Sequence, residues 1–100
     1  MTMIKHIVMW RLREGAGDKA ANAQELKRQL ESLNGRIPGL LKLEVGIDFS
    51  QESESSDVVL YSEFESNAAL QSYQVHPAHN EVAPFVKSVR GERRVVDYEA

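Results

Sequence analysis

Between residues 4 and 13 the chain alternates so that Ile4, His6, Val8, Trp10 and Leu12 share one face and Lys5, Ile7, Met9 and Arg11 the other, which predicts a strand apolar on both sides. Gly15 and Gly17 interrupt it, and Asp18 is placed to cap a helix in which Ala23, Leu26, Leu30 and Leu33 recur at three- and four-residue steps. Asn34-Gly35 stops that helix, and Ile37-Pro38-Gly39 is a stiff connector. Leu41, Leu43, Val45, Ile47 and Phe49 then alternate with Lys42, Glu44, Gly46 and Asp48, the pattern of a strand with one apolar face. The polar stretch 50–56 reads as a hairpin connection, and Asp57 to Phe64 as a third strand with apolar groups on both faces.

Ser66 caps a short helix bearing Ala69, Leu70 and Tyr73. Pro77 suits the first position of a further helix, which makes His76 its cap and sets His79 in its first turn. That helix carries Val82, Phe85, Val86 and Val89, is bent by Pro84 and ends at Gly91; Arg93 to Tyr98 is the last strand. The order strand, helix, strand, strand, helices, strand predicts an α+β fold: a four-stranded antiparallel sheet with helices on one face and the first and third strands central. Helices cover only one face of those two strands. A sheet-to-sheet homodimer is therefore expected to cover the other.

Composition narrows the function classes. A chain of 100 residues, 42% hydrophobic and 27% charged, is expected to form a single domain over 1–100, and no apolar run approaches a membrane span. Met1-Thr2-Met3 runs directly into the first strand without a basic-then-apolar leader, so a cytoplasmic location is expected. The absence of cysteine excludes disulfides, thiolate catalysis and cysteine-held metals. A net charge of −3 argues against nucleic acid as a partner, and Arg93 and Arg94, on opposite faces of their strand, are expected to form no basic patch.

Imidazole titrates near neutral pH, and the three histidines fall in Lys5-His6-Ile7-Val8 and Tyr73-Gln74-Val75-His76-Pro77-Ala78-His79. At a helix N-terminus His79 is expected to stay neutral and able to accept a proton, with Tyr73 as a donor toward a developing oxyanion. His6, on an apolar strand face, needs a partner or a cavity. Each has a structural reading as well: His79 as a hydrogen-bonder, His6 as a satisfied core histidine, Tyr73 as a core ring, and His76 mainly as a cap. Trp10, Phe64, Phe85 and Tyr98 read as core and interface, and a metal site from His76, His79 and Glu81 is disfavoured because the cap turns the pair apart.

Lys5-His6-Ile7-Val8, Ile37-Pro38-Gly39-Leu40, Leu43-Glu44-Val45-Gly46, Ser62-Glu63-Phe64-Glu65-Ser66, Tyr73 to His79 and Val95-Val96-Asp97-Tyr98 together resemble the stress-responsive dimeric α/β-barrel (Dabb) family over nearly the whole chain. The resemblance implies a ferredoxin-like fold, a homodimer whose two sheets make a central barrel, and a small-molecule cavity between sheet and helices in each subunit. Most bacterial members of that family carry no assigned reaction, whereas a plant polyketide-cyclase branch closes a ring by a cofactor-free aldol-type step. Carried over by motif, His79 is the acid–base residue, Tyr73 its partner and His6 a pocket-lining hydrogen-bonder. Leu30 stands where that branch has a further tyrosine, so the same substrate is not implied. Some relatives bind a divalent metal near the end of the first helix, but Leu33-Asn34-Gly35-Arg36 holds no carboxylate cluster. No metal or cofactor is expected. Two functional readings stand: a dimeric binding or stress-protective protein, and a cofactor-independent lyase, cyclase or isomerase acting on a small carbonyl compound. A cofactor-free monooxygenase is a weaker third.

Overall fold

The computed structural model describes residues 3–100; Met1 and Thr2, which head the segment read for a leader, lie outside them. The elements are β1 (Ile4–Leu12), α1 (Lys19–Glu31), β2 (Leu40–Ile47), β3 (Val58–Phe64), α2 (Asn67–Val75), α3 (Pro77–Val89) and β4 (Arg90–Glu99). The strands form one antiparallel sheet in the order β2-β3-β1-β4, with β1 and β3 central. This is the ferredoxin-like arrangement. Ile4, Val8, Trp10 and Leu12 of β1, with Val58, Leu60 and Phe64 of β3, bury one face against Leu26 and Leu30 of α1, Leu70 of α2 and Val82 of α3. Among the described residues, no helix is long and apolar enough to cross a membrane.

Side-chain oxygens and one ring nitrogen start the helices. Asp18 accepts from the Ala20 amide at 2.9 Å, Ser66 from Ala69 at 3.0 Å and His76 Nδ1 from Ala78 at 3.0 Å, so each helix has part of its unpaired N-terminal amide set satisfied. Pro77 directly after His76 costs α3 no donor it would have used. The helix continues through Pro84, which removes one intrahelical bond without ending it.

The far edge of the sheet is closed by α1 and the turn after it. Asn34 donates to the Leu43 carbonyl at 2.8 Å and accepts from the Leu43 amide at 3.1 Å. Two residues further on, Lys27 donates to the Val45 carbonyl at 2.7 Å while Glu31 accepts from the Val45 amide at 3.0 Å. The backbone groups that an edge strand leaves open for another strand are thus occupied at the middle of β2. Asn34 therefore does more than stop a helix.

Three details depart from the sequence pattern. A register shift between Leu40 and Lys42 turns Leu41 out to solvent, and Phe49 lies beyond β2 and is 94% exposed, so the apolar face of this strand reduces to Leu43, Val45 and partly Ile47. Gly91 does not end α3: the helix passes into β4 at Arg90, and Gly91 sits where an added Cβ would lie 3.1 Å from the Arg11 carbonyl oxygen, beside the irregularity between Trp10 and Leu12. Finally, the helix layer stops short of β4, whose residues beyond Arg90 are exposed on both faces.

Gly39 joins the first helix to β2 at φ +83°, and an added Cβ would lie 2.5 Å from the Ala69 Cβ of α2. Gly39→Ala is expected to lower stability by about 2–4 kcal/mol, roughly 1 from the left-handed backbone and the rest from the clash. Gly15→Ala is the control, since Gly15 has φ +81° with nothing within 4 Å of the added carbon. Equal losses for the two variants in urea denaturation would mean that α2 does not press on Gly39.

Candidate functional site

β1 turns His6, Val8 and Trp10 toward the helices, and α3 returns His79, Val82, Ala83, Val86 and Lys87 at three- and four-residue steps; between them is a cavity of about 280 Å³. Leu30 of α1, Leu60 of β3 and Tyr73 of α2 line it as well, and Arg90 and Arg93 stand where β4 extends past the helix layer. The volume is close to the lower end of the ~300–1,000 Å³ usual for small-molecule sites. Its middle is aliphatic, formed by Val8, Leu30, Leu60, Val82, Ala83 and Val86.

The structure brings His6, Tyr73 and His79 together at one end. The Tyr73 ring meets the His79 ring edge-on at 4.8 Å between centroids, and the His6 ring lies 6.2 Å from it, with Phe64 packed against Tyr73 at 5.0 Å. Tyr73 is only 1% exposed, and burial pushes its phenol up to about 12, so the hydroxyl keeps its proton at neutral pH and acts as a donor. Burial, and then the nearby His6, lower the His79 pKa against a weaker opposing hydrogen bond with Asn80. The lowered pKa agrees in direction with the neutral state that a helix N-terminus favours, and burial contributes to it. Its Nδ1 is buried without a hydrogen-bond partner among the described residues, as is Trp10 Nε1.

His76 takes no part in the cavity, because its Nδ1 is used by the Ala78 amide. Glu81 pairs with Arg36 at 3.3 Å, so the histidine pair and Glu81 do not converge, and among the described residues no three His, Cys, Asp or Glu side chains group as metal ligands. The end of α1 does not fit a divalent cation either: Glu31 is held by Lys27 and the Val45 amide, and Asn34 by Leu43.

Two features escaped the sequence reading. His6 is buried on the sheet, and its Nδ1 pairs with the carboxylate of Asp97, the residue opposite it on β4 and 91 positions away in the chain. An imidazole donating Nδ1–H to a carboxylate keeps its lone pair on Nε2, so Asp97 selects the tautomer of His6 when the ring is neutral. The signal was the period-two count along Val95-Val96-Asp97, but it points to His6 only once the β1–β4 register is known. The second is a correction. Arg93 and Arg94 do face opposite sides of β4, with Arg94 paired to Glu92, yet Arg93 joins Lys87 and Arg90 at the cavity and a basic cluster forms.

The sequence model of the stress responsive A/B barrel domain matches residues 4–100. The chain belongs to that family. Among solved structures, this A/B barrel domain is similar to a dimeric protein of unknown function and ferredoxin-like fold from Bacteroides fragilis, with 31% identity, TM-score 0.88 and coverage of 98% of this chain and 96% of that one. A dimeric ferredoxin-like protein of unknown function from Jannaschia sp. shares 33% identity at TM-score 0.75, covering 98% of this chain and 99% of that one. A hydroxynitrile lyase from Passiflora edulis shares the fold at 17% identity and TM-score 0.82, over 98% and 93% of the two chains. No curated protein matches the sequence.

Proposed function

We propose that this A/B barrel domain protein is a single-domain homodimer whose cavity binds a small carbonyl compound and moves a proton on it, with His79 as acid–base residue, Tyr73 as oxyanion donor and His6 as a hydrogen-bonding wall residue. The observation that carries the reading is the edge-on contact of His79 with Tyr73 at 4.8 Å, one group held as a free base and the other as a neutral phenol. Such a pair suits removal of a proton beside a carbonyl: His79 takes the proton and the phenol donates a hydrogen bond to the oxygen on which charge grows. The reaction class is a lyase, cyclase or isomerase step that side chains alone can perform. That the Passiflora edulis protein of the same fold is a hydroxynitrile lyase supports the compatibility of the fold with such chemistry.

The homodimer rests on the uncovered sheet face and on relatives at 31% and 33% identity that are dimeric. Ile7, Met9, Val59, Tyr61, Val96 and Tyr98 point away from the helices; Met9, Val96 and Tyr98 are 41%, 51% and 44% exposed. An apolar face of this kind is expected to be covered in solution.

Deuterium incorporation beside the carbonyl of a panel of small alkyl and aryl ketones and aldehydes in D2O, followed by NMR, tests the chemistry without requiring the natural substrate. His79→Ala is expected to slow exchange by about 10²-fold or more. The sign of the pH dependence follows from His79: its lowered pKa leaves the base form populated below the ordinary value of 6.5, so the rate rises through a value under 6.5 and stays level until Tyr73 ionises near 12. Wild-type exchange no faster than buffer, or an unchanged rate in His79→Ala, would leave a binding protein without this chemistry.

A further inference from the structure

We propose that the cavity selects amphiphilic organic anions: an apolar body along its aliphatic middle and a carboxylate held by Lys87, Arg90 and Arg93. This deepens the reading of the cavity as a small-molecule site by naming the ligand's charge and its placement, and it rests on that reading.

The cavity is polar at two ends and apolar between. Along β1 the wall runs His6, Val8, Trp10, and four residues of strand separate the two ends by roughly 13 Å. Along α3 it runs from His79 past Val82, Ala83 and Val86 to Lys87, and eight residues of helix give roughly 12 Å. The two walls are in step: the imidazoles share one end, and Trp10, Lys87 and Arg93 the other. Arg93 is the residue opposite Trp10 in the β1–β4 register, so it lies on the helix-facing side of the sheet and not on the face given to the dimer.

These cations are not consumed by the fold. Among the described residues, none of the three has a carboxylate within 4.0 Å, whereas Lys19, Lys27, Arg28, Arg36, Lys42 and Arg94 each do. The C-terminal end of α3 is already served: Arg13 donates from its amide to the Val89 carbonyl at 2.8 Å and from its guanidinium to the Ser88 carbonyl at 2.9 Å, and the Arg90 amide reaches the Val86 carbonyl. A helix terminus carries about half a negative charge, so it does not balance three positive ones. In a protein of net charge −3, three unpaired cations gathered where an apolar cavity meets solvent form a local attraction for anions. Two guanidinium groups suit a planar carboxylate, to which each can donate two parallel hydrogen bonds.

Trp10 is the only tryptophan and lines the cationic end, so its fluorescence reports occupancy directly. Octanoate, octyl phosphate and octanol share one apolar body and differ in the head group. Wild type is expected to bind octanoate at least about tenfold more tightly than octanol, with an advantage that shrinks as salt is raised. Arg90→Gln/Arg93→Gln is expected to erase that advantage while leaving octanol binding within about twofold, and Val75→Glu, outside the cavity, to leave all three affinities unchanged. Tighter binding of octyl phosphate than of octanoate would assign the site to phosphate instead. Equal binding of octanoate and octanol, or discrimination that survives the double variant, would overturn the selection of anions while leaving the cavity as a ligand site. Failure of all three probes to bind would reject the ligand site itself.

Discussion

Ile7→Glu is expected to turn the dimer into a monomer. Ile7 lies mid-way along the central strand β1, between Tyr61 on β3 and Val96 on β4, on the face that no helix covers. In a sheet-to-sheet dimer the new carboxylate would be buried without a partner, at a cost of about 3–5 kcal/mol for each charge. A two-fold interface contains the substitution twice, so the dissociation constant is expected to rise by more than about 10³-fold. The subunit itself should survive, because the core on the opposite side of the sheet is untouched. Val75→Glu is the control: Val75 is 74% exposed at the end of α2, away from the sheet, and its substitution is expected to leave the mass unchanged. Light scattering on the eluting protein decides between the outcomes. A wild-type mass of one chain, or an Ile7→Glu variant that remains dimeric, would remove the sheet-to-sheet association.

Asp97→Ala is expected to lower stability by about 1–3 kcal/mol, the usual cost of leaving a buried polar group without its partner. His6 is the group left behind. It is 3% exposed, its ring is flanked by Phe64 and Tyr73, and its Nδ1 has Asp97 as its side-chain partner. Asp97→Asn retains an oxygen able to accept from Nδ1–H, so most of the stability is expected to return while the negative charge does not. The amide can equally turn its NH2 toward Nδ1 and select the other tautomer, so ketone exchange in Asp97→Asn is expected to fall by on the order of tenfold or more with little change in melting temperature. Nitrogen NMR of the imidazole reads the tautomer directly. Stability in Asp97→Ala within about 0.5 kcal/mol of wild type would mean that the pairing contributes nothing net.

The sequence pattern already contained the elements and the start of each helix. Asp18, Ser66 and His76 with Pro77 are recognisable as caps because a cap and the amides it serves lie within three residues of one another. Where the pattern misled, the cause was equally local: the register shift at Leu40 and Lys42 takes Leu41 out of phase, and Gly91 is small because the Arg11 carbonyl approaches it, not because a helix ends there. For the site, His6, Tyr73 and His79 could be picked out as residue types, and the burial that tunes Tyr73 and His79 could not.

By itself the sequence determined the strand and helix periods, the apolar character of both faces of β1 and β3, and hence the demand for a cover on the outer face. Those are properties of neighbours two, three or four residues apart. Tertiary structure alone decided that Asp97 meets His6 across 91 residues, that Arg93 stands opposite Trp10 beside Lys87 and Arg90, and that Asn34, Lys27 and Glu31 close the β2 edge. Each depends on strand order, register and the angle at which a helix crosses the sheet. Shifting the β1–β4 register by one residue would turn Asp97 and Arg93 to the outer face and leave every local pattern in the chain unchanged.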